Sequence, residues 1–181
     1  MVGVGTILLR QDRSRWFTHR YGLEGGYLKF RSIASTLMNL DAVLFIVVCV
    51  VTRATLDTPW PTIVRVAIGV VGIVIGVGVK LWARRALGPD LYYWRNFFVP
   101  EEHNSQPRGP YKYLDNPMYT IGYLHAFGLA LVFDSAPGLV LAAFMQFAVL
   151  VFYRIVERPH FLELNRRRNG VGRTAGRQDG R

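Results

Sequence analysis

Gly109-Pro-Tyr-Lys-Tyr-Leu-Asp-Asn-Pro-Met-Tyr-Thr-Ile-Gly-Tyr123 is where a polar, basic stretch turns abruptly into an apolar one. Asn is a strong helix N-cap and Pro fits the first helical position. Asn116-Pro117 therefore predicts a helix that starts at Pro117 and runs away from a polar loop. A helix start carries unpaired N–H groups and partial positive charge, which suits an anion. On either side of this junction the apolar residues come in long blocks rather than amphipathic stripes. Blocks of that kind predict an all-α polytopic membrane protein, with about four transmembrane helices plus interfacial helices.

Downstream, the third span is expected over residues 117–133, about 25 Å at a helical rise of 1.5 Å per residue. A turn at 134–138 and a fourth span at 139–156 follow. Upstream, Leu91-Tyr-Tyr-Trp-Arg-Asn-Phe-Phe98 reads as an aromatic belt at the membrane interface, and 100–110 reads as loop. The second span, 62–81, contains Gly72-Ile-Val-Ile-Gly76, a small-xxx-small pattern that lets another helix approach closely and permits a monomer or a homodimer. The first span covers 36–52, with Asn39 and Asp41 near its start. Basic and aromatic residues alternate before it, so 1–35 reads as an N-terminal interfacial segment, interrupted by Gly25-Gly26. Residues 36–164 form the membrane domain. Residues 165–181, rich in Arg and Gly, read as a disordered basic tail.

The chain has 181 residues, 51% of them hydrophobic, and a net charge of +10. In a chain with several apolar blocks, that charge sets topology or touches anionic lipid rather than nucleic acid. Lys and Arg number six before the first span, one in the first loop, six over residues 80–112, none in the turn at 134–138 and eight from Arg154 onward. This alternation predicts both termini in the cytoplasm, in a bacterial inner membrane or the endoplasmic reticulum. The first ten residues do not read as a signal peptide, because the apolar run is short and the charges follow it. Cys49, the single cysteine, reads as packing. Glu101-Glu102-His103 has no further ligands at useful spacing, so no metal is expected.

Topology has a geometric consequence. Spans three and four form a hairpin around Ala136, with Pro117 19 residues before it and Glu157 21 after it. Both return to one face at similar depth. A positive helix end beside a carboxylate can grip a zwitterion, with the ligand's carboxylate at the helix start and its ammonium at Glu157. S-adenosylmethionine has such a methionine end.

The stretch 109–123 resembles the Gly-Pro-Tyr…(Arg-His or Asn)-Pro-x-Tyr…Gly motif of a membrane methyltransferase superfamily. That superfamily includes phosphatidylethanolamine N-methyltransferases and isoprenylcysteine carboxyl methyltransferases. Val156-Glu-Arg-Pro-His-Phe161 is similar to its second signature, a Glu-Glu pair at the end of the following helix. The resemblance covers residues 87–165, and the Asn-Pro-Met-Tyr form leans toward the phospholipid branch. Asp115-Asn116 stands where Arg-His is usual, and one Glu stands for the pair; Glu157 can be either member.

The resemblance implies an S-adenosylmethionine site built by Gly109, Tyr111, Asn116, Pro117, Tyr119, Gly122 and Glu157, with Glu157 on the methionine ammonium. It implies a lipid acceptor, first of all a phosphatidylethanolamine-type amine. An amine must lose its proton before it attacks, and His125 is the best single candidate for base or relay. Tyr119 offers an aromatic face to the sulfonium and to the methylated ammonium product. Arg84, Arg85 and Arg95 are candidates to hold a lipid phosphate. His103 and His160 read as interfacial. The alternatives are carboxyl O-methylation of an isoprenoid-linked or other amphiphilic acceptor, a nicotinamide-dependent steroid-reductase-like enzyme, and a membrane scaffold without catalysis.

Overall fold

A computed structural model describes residues 2–88, 92–99, 109–114 and 116–162. The loop at 100–108 with its Glu101-Glu102-His103 group, Asp115 and the basic tail at 165–181 lie outside the described residues. The described residues form helices, turns and short connecting loops, with no strand among them. The helices are α1 (Val2–Ser14), α2 (Trp16–Tyr21), α3 (Leu23–Val51), α4 (Thr62–Leu87), α5 (Leu124–Val132) and α6 (Ala136–Phe152). The last continues through a π turn, Tyr153–Glu157, to Leu162. Leu23–Val51, Thr62–Leu87 and Ala136–Leu162 are each long and apolar enough to cross a membrane, and Ile121–Val132 is a shorter apolar helix. This is an all-α membrane protein.

Two helix starts differ from expectation. The break before the first span falls at Gly22, whose φ of 75° belongs to glycine, and not at Gly25-Gly26. Those two glycines lie inside α3. There Gly26 lets α2 approach: a Cβ on it would stand 3.3 Å from the Phe17 carbonyl oxygen. The third span does not start at Pro117. Residues 117–120 form a turn, Ile121–Tyr123 a 3-10 turn, and the α-helix begins only at Leu124. The reason lies on α6. Gln146 Nε2 donates to the carbonyls of Tyr119 and Thr120 at 3.2 Å each, satisfying groups that a regular helix would have claimed. Asn116 closes the turn with its backbone carbonyl, which accepts from the Tyr119 and Thr120 amides and from Thr120 Oγ1. No side chain caps the 3-10 turn or α5.

α4 and α5 pack along a glycine seam. A Cβ on Gly69 would stand 2.7 Å from the Gly128 carbonyl oxygen, and a Cβ on Gly76 would collide with the His125 amide. The small-xxx-small face of α4 is thus spent inside the chain and offers no argument for a dimer. Beyond the seam, Arg65 pairs with Asp134 at 2.6 Å. The Asp134 carbonyl accepts from Thr55 and Leu56, and Ser135 Oγ accepts from the Gly138 amide to cap α6. This end of the hairpin is tied by charge and hydrogen bonds.

The opposite end holds a buried core. Val4 and Leu8 of α1, Phe17 of α2, Tyr27, Phe30 and Ala34 of α3, Trp94, Phe97 and Phe98, and Phe152 and Val156 at the end of α6 form one buried cluster. Trp94, Phe97 and Phe98 of the expected interfacial belt are therefore interior packing. Phe30 and Phe152 each meet the Trp94 ring edge-on, at 6.3 and 5.6 Å.

Candidate functional site

Glu157 sits at the end of the π turn, which brings the adjacent Val156 and Glu157 both inside. Turns of this kind recur at functional sites. The residue is 6% exposed. Its Oε1 accepts from Trp94 Nε1 at 2.5 Å and from the Tyr119 hydroxyl at 2.6 Å. Both donors are neutral, and among the described residues no Lys, Arg or His pairs with it. A buried carboxylate without a cation is electrostatically incomplete. It suits an ammonium-bearing ligand.

Trp94 reaches this carboxylate from an uncommon backbone. Its φ of 56° lies in the left-handed region, where a bulky residue carries a cost of roughly 1–2 kcal/mol. The indole–carboxylate bond and the surrounding rings hold it there.

Of the predicted residues, Tyr119 and Glu157 meet directly. Tyr111 is close enough for the carboxylate to act on it: burial first, then Glu157, then Tyr92 push its hydroxyl well above the ordinary phenol range, so it stays protonated and able to donate. Gly109 has a φ of 59°, and a Cβ there would stand 2.9 Å from Ala86 Cβ, so α4 touches this turn closely. Asn116 and Pro117 are buried. Gly122 donates its amide to the Pro117 carbonyl.

His125 belongs to a second cluster on the same segment. Its Nδ1 donates to the Gly122 carbonyl at 2.6 Å, because a carbonyl can only accept. That leaves Nε2 as the basic nitrogen, and it accepts from Lys80 Nζ at 3.2 Å. Lys80 lies over the Tyr123 ring, 5.1 Å from its centre.

The three arginines are dispersed. Arg95 is bonded to Glu24 at 2.7 Å and lies over the Tyr27 ring. Arg84 and Arg85 are exposed in the last turn of α4, with Arg84 over Tyr92. His160, expected at the interface, is buried: it stacks on Phe97 with ring centres 3.8 Å apart, and its nitrogens face Asp12 and the Asn96 carbonyl. Trp94, Lys80 and Gln146 were not singled out by sequence. Lys80 alone left a signal, as a cation at the end of an apolar span.

The sequence profile of the phospholipid methyltransferase family matches residues 64–167, more than half of the chain. The chain belongs to this family. Similar proteins include the phosphatidylethanolamine N-methyltransferase of Clavispora lusitaniae, 30% identical over 145 residues that make up 74% of this chain and 17% of that protein. The enzyme of the same name from Pyricularia oryzae is 29% identical over 136 residues, 74% of this chain and 14% of that one. The one from Saccharomyces cerevisiae is 30% identical over 136 residues, 74% and 15%. The chain thus matches about one sixth of the length of these curated relatives. No solved structure shows significant similarity.

Proposed function

We propose that this protein is an integral-membrane, S-adenosylmethionine-dependent methyltransferase that methylates the amine of a phosphatidylethanolamine-type lipid. The observation that carries the reading is Glu157: a buried carboxylate, oriented by two neutral donors and without a cation, on a chain of the phospholipid methyltransferase family. The bound cofactor supplies an electrophilic methyl group. Glu157 holds an ammonium. Trp94 and Tyr119 fix the carboxylate's rotamer, and Tyr119 also presents an aromatic face to positive charge. Gly109, Tyr111, Asn116, Pro117 and Gly122 shape the wall beside it. In-line transfer needs positioning and exclusion of water more than acid–base power. The one proton to be removed belongs to the acceptor ammonium, and His125 Nε2 is assigned to receive it. Arg84 and Arg85, and to a lesser extent the already paired Arg95, face the headgroup layer. Both termini are assigned to the cytoplasm by the charge alternation.

Titration of the full chain in lipid nanodiscs with S-adenosylhomocysteine tests this reading. Wild type should bind, and Glu157→Gln should weaken binding by about 1.5–3 kcal/mol, the usual worth of a charge-assisted bond. Absence of binding by wild type would sink the assignment. His125→Ala should lower kcat at neutral pH and recover part of it as pH rises and the free amine becomes abundant. A pH-independent loss would remove His125 as proton acceptor.

A further inference from the structure

Lys80 is a charge of this region that the reading above leaves unused. It sits on α4 inside the helix layer, one turn before Arg84. Its stem lies against the Pro117–Tyr123 segment: a Cβ on Gly122 would stand 3.0 Å from Lys80 Cγ. Its Nζ hangs over the Tyr123 ring at 5.1 Å and donates one hydrogen bond, to His125 Nε2 at 3.2 Å. His125 is held as an acceptor there by its own bond to the Gly122 carbonyl. An ammonium has three donors, so two are uncommitted. Among the described residues no carboxylate forms an ion pair with Lys80. Asp41 of α3 acts on Tyr123, the ring beneath the ammonium. A half-buried cation with a neutral imidazole and a ring face for company has an unmet demand for an anion.

The two charge-incomplete groups flank one short piece of chain. The segment 117–123 sends Tyr119 to the Glu157 carboxylate and packs Gly122 and Tyr123 on Lys80. One group lacks a cation and the other lacks an anion. Arg95, the competing cation, is already bonded to Glu24.

We infer that Lys80 is the specificity-determining anchor for the phosphodiester of the acceptor lipid: its ammonium keeps its place over the Tyr123 ring and exchanges His125 Nε2 for the phosphate, which frees that nitrogen for the proton assigned to it. The inference rests on the methyltransferase reading and goes beyond it by naming the group that recognises the acceptor. Lys80 touches the phosphate and not the reacting nitrogen, so it governs acceptor binding more than turnover.

The test uses the full chain in nanodiscs, as wild type, Lys80→Met and Lys80→Arg. Three measurements are made: S-adenosylhomocysteine affinity, methyl transfer to phosphatidylethanolamine and to a phosphate-free long-chain amine, and retention of phosphatidylethanolamine against diacylglycerol by native mass spectrometry. Lys80→Met should raise KM for phosphatidylethanolamine about tenfold or more, the size of a lost charge-assisted bond. It should leave kcat within a few-fold and KM for the phosphate-free amine unchanged. Lys80→Arg should restore most of the affinity. Retention of phosphatidylethanolamine should fall in Lys80→Met while diacylglycerol is unaffected. Equal effects on both acceptors would overturn the proposal in favour of a packing role. An unchanged KM would mean that Lys80 only reaches toward bulk headgroups. Inorganic phosphate that raises the wild-type KM as much as Lys80→Met does would assign the site to free phosphate and overturn it too. Loss of homocysteine-analogue binding in wild type would instead mark failure of the methyltransferase reading, and the retention measurement would still decide on Lys80.

Discussion

Glu157 accepts both of its hydrogen bonds on one oxygen, from an indole and a phenol, and each donor is itself held by packing. Trp94 is wedged between Phe30 and Phe152, and the Tyr119 ring meets Tyr153 edge-on at 6.3 Å. A carboxylate so fixed loses little freedom when a ligand arrives. Trp94→Phe keeps much of the ring packing and removes only the Nε1–H donor. It should weaken S-adenosylhomocysteine binding by about 1–2 kcal/mol, less than loss of the carboxylate itself. Tyr119→Phe should do the same, and the double variant should cost less than the sum, because both donors serve one oxygen. Calorimetric titration of the three variants reads this directly; strict additivity would mean that the two donors act independently. Sequence made the approach of Pro117 and Glu157 legible, since counting from Ala136 along both arms of the hairpin lands them at one level; the residue that meets the carboxylate is Tyr119, two positions further on. It could not reveal Trp94. An indole within Leu91-Tyr-Tyr-Trp-Arg-Asn-Phe-Phe98 looks like any interfacial aromatic, and only a left-handed backbone turns this one inward.

At the level of the element, the deciding contact is the seam between α4 and α5. Gly76 lets the His125 backbone lie against α4, and Lys80, one turn on, reaches the same residue. The seam therefore positions the second cluster as well as the hairpin. Gly76→Ala should destabilise the protein by about 1–3 kcal/mol through overpacking and should separate Lys80 from His125. Gly78→Ala is the control: nothing lies within 4 Å of its new methyl group, so it should be neutral or slightly stabilising. Thermal unfolding in matched detergent separates the two; equal effects would show that the seam is loose. Run length and Pro or Gly punctuation were enough to read α3, α4 and α6 as spans. The start of α5 escaped, because the carbonyls that unwind it are taken by Gln146, more than twenty residues further on. A glycine pattern likewise announces close approach without naming the partner, which is why the face of α4 read as a possible dimer contact.

Across the whole molecule, the helices that precede the family-matched segment complete the wall behind the candidate site. α1 contributes Val4 and Leu8 to the core that holds Trp94 and Phe152, and a Cβ on Gly5 would stand 3.1 Å from the Phe152 ring. Gln11, 2% exposed, accepts the Phe17 and Thr18 amides and so fastens α2 to α1. Asp12 meets His160 Nδ1 at 2.7 Å, and His160 in turn stacks on Phe97 and reaches the Asn96 carbonyl. The two ends of the described chain are thus joined three residues beyond Glu157. His160→Ala removes the hydrogen bond to Asp12, the stacked ring and the carbonyl contact together. It should speed hydrogen exchange across α1 and α2 while leaving the α4–α5 seam protected, since no residue of that seam belongs to the core that α1 and α2 share. If α1 and α2 serve to keep Trp94 pressed onto the carboxylate, S-adenosylhomocysteine affinity should fall in parallel, by several-fold, although His160 touches neither donor nor carboxylate. His19→Ala, on an exposed face of α2, should change neither readout. Faster exchange in α1 with undiminished affinity would show that the N-terminal helices stabilise the fold without shaping the site.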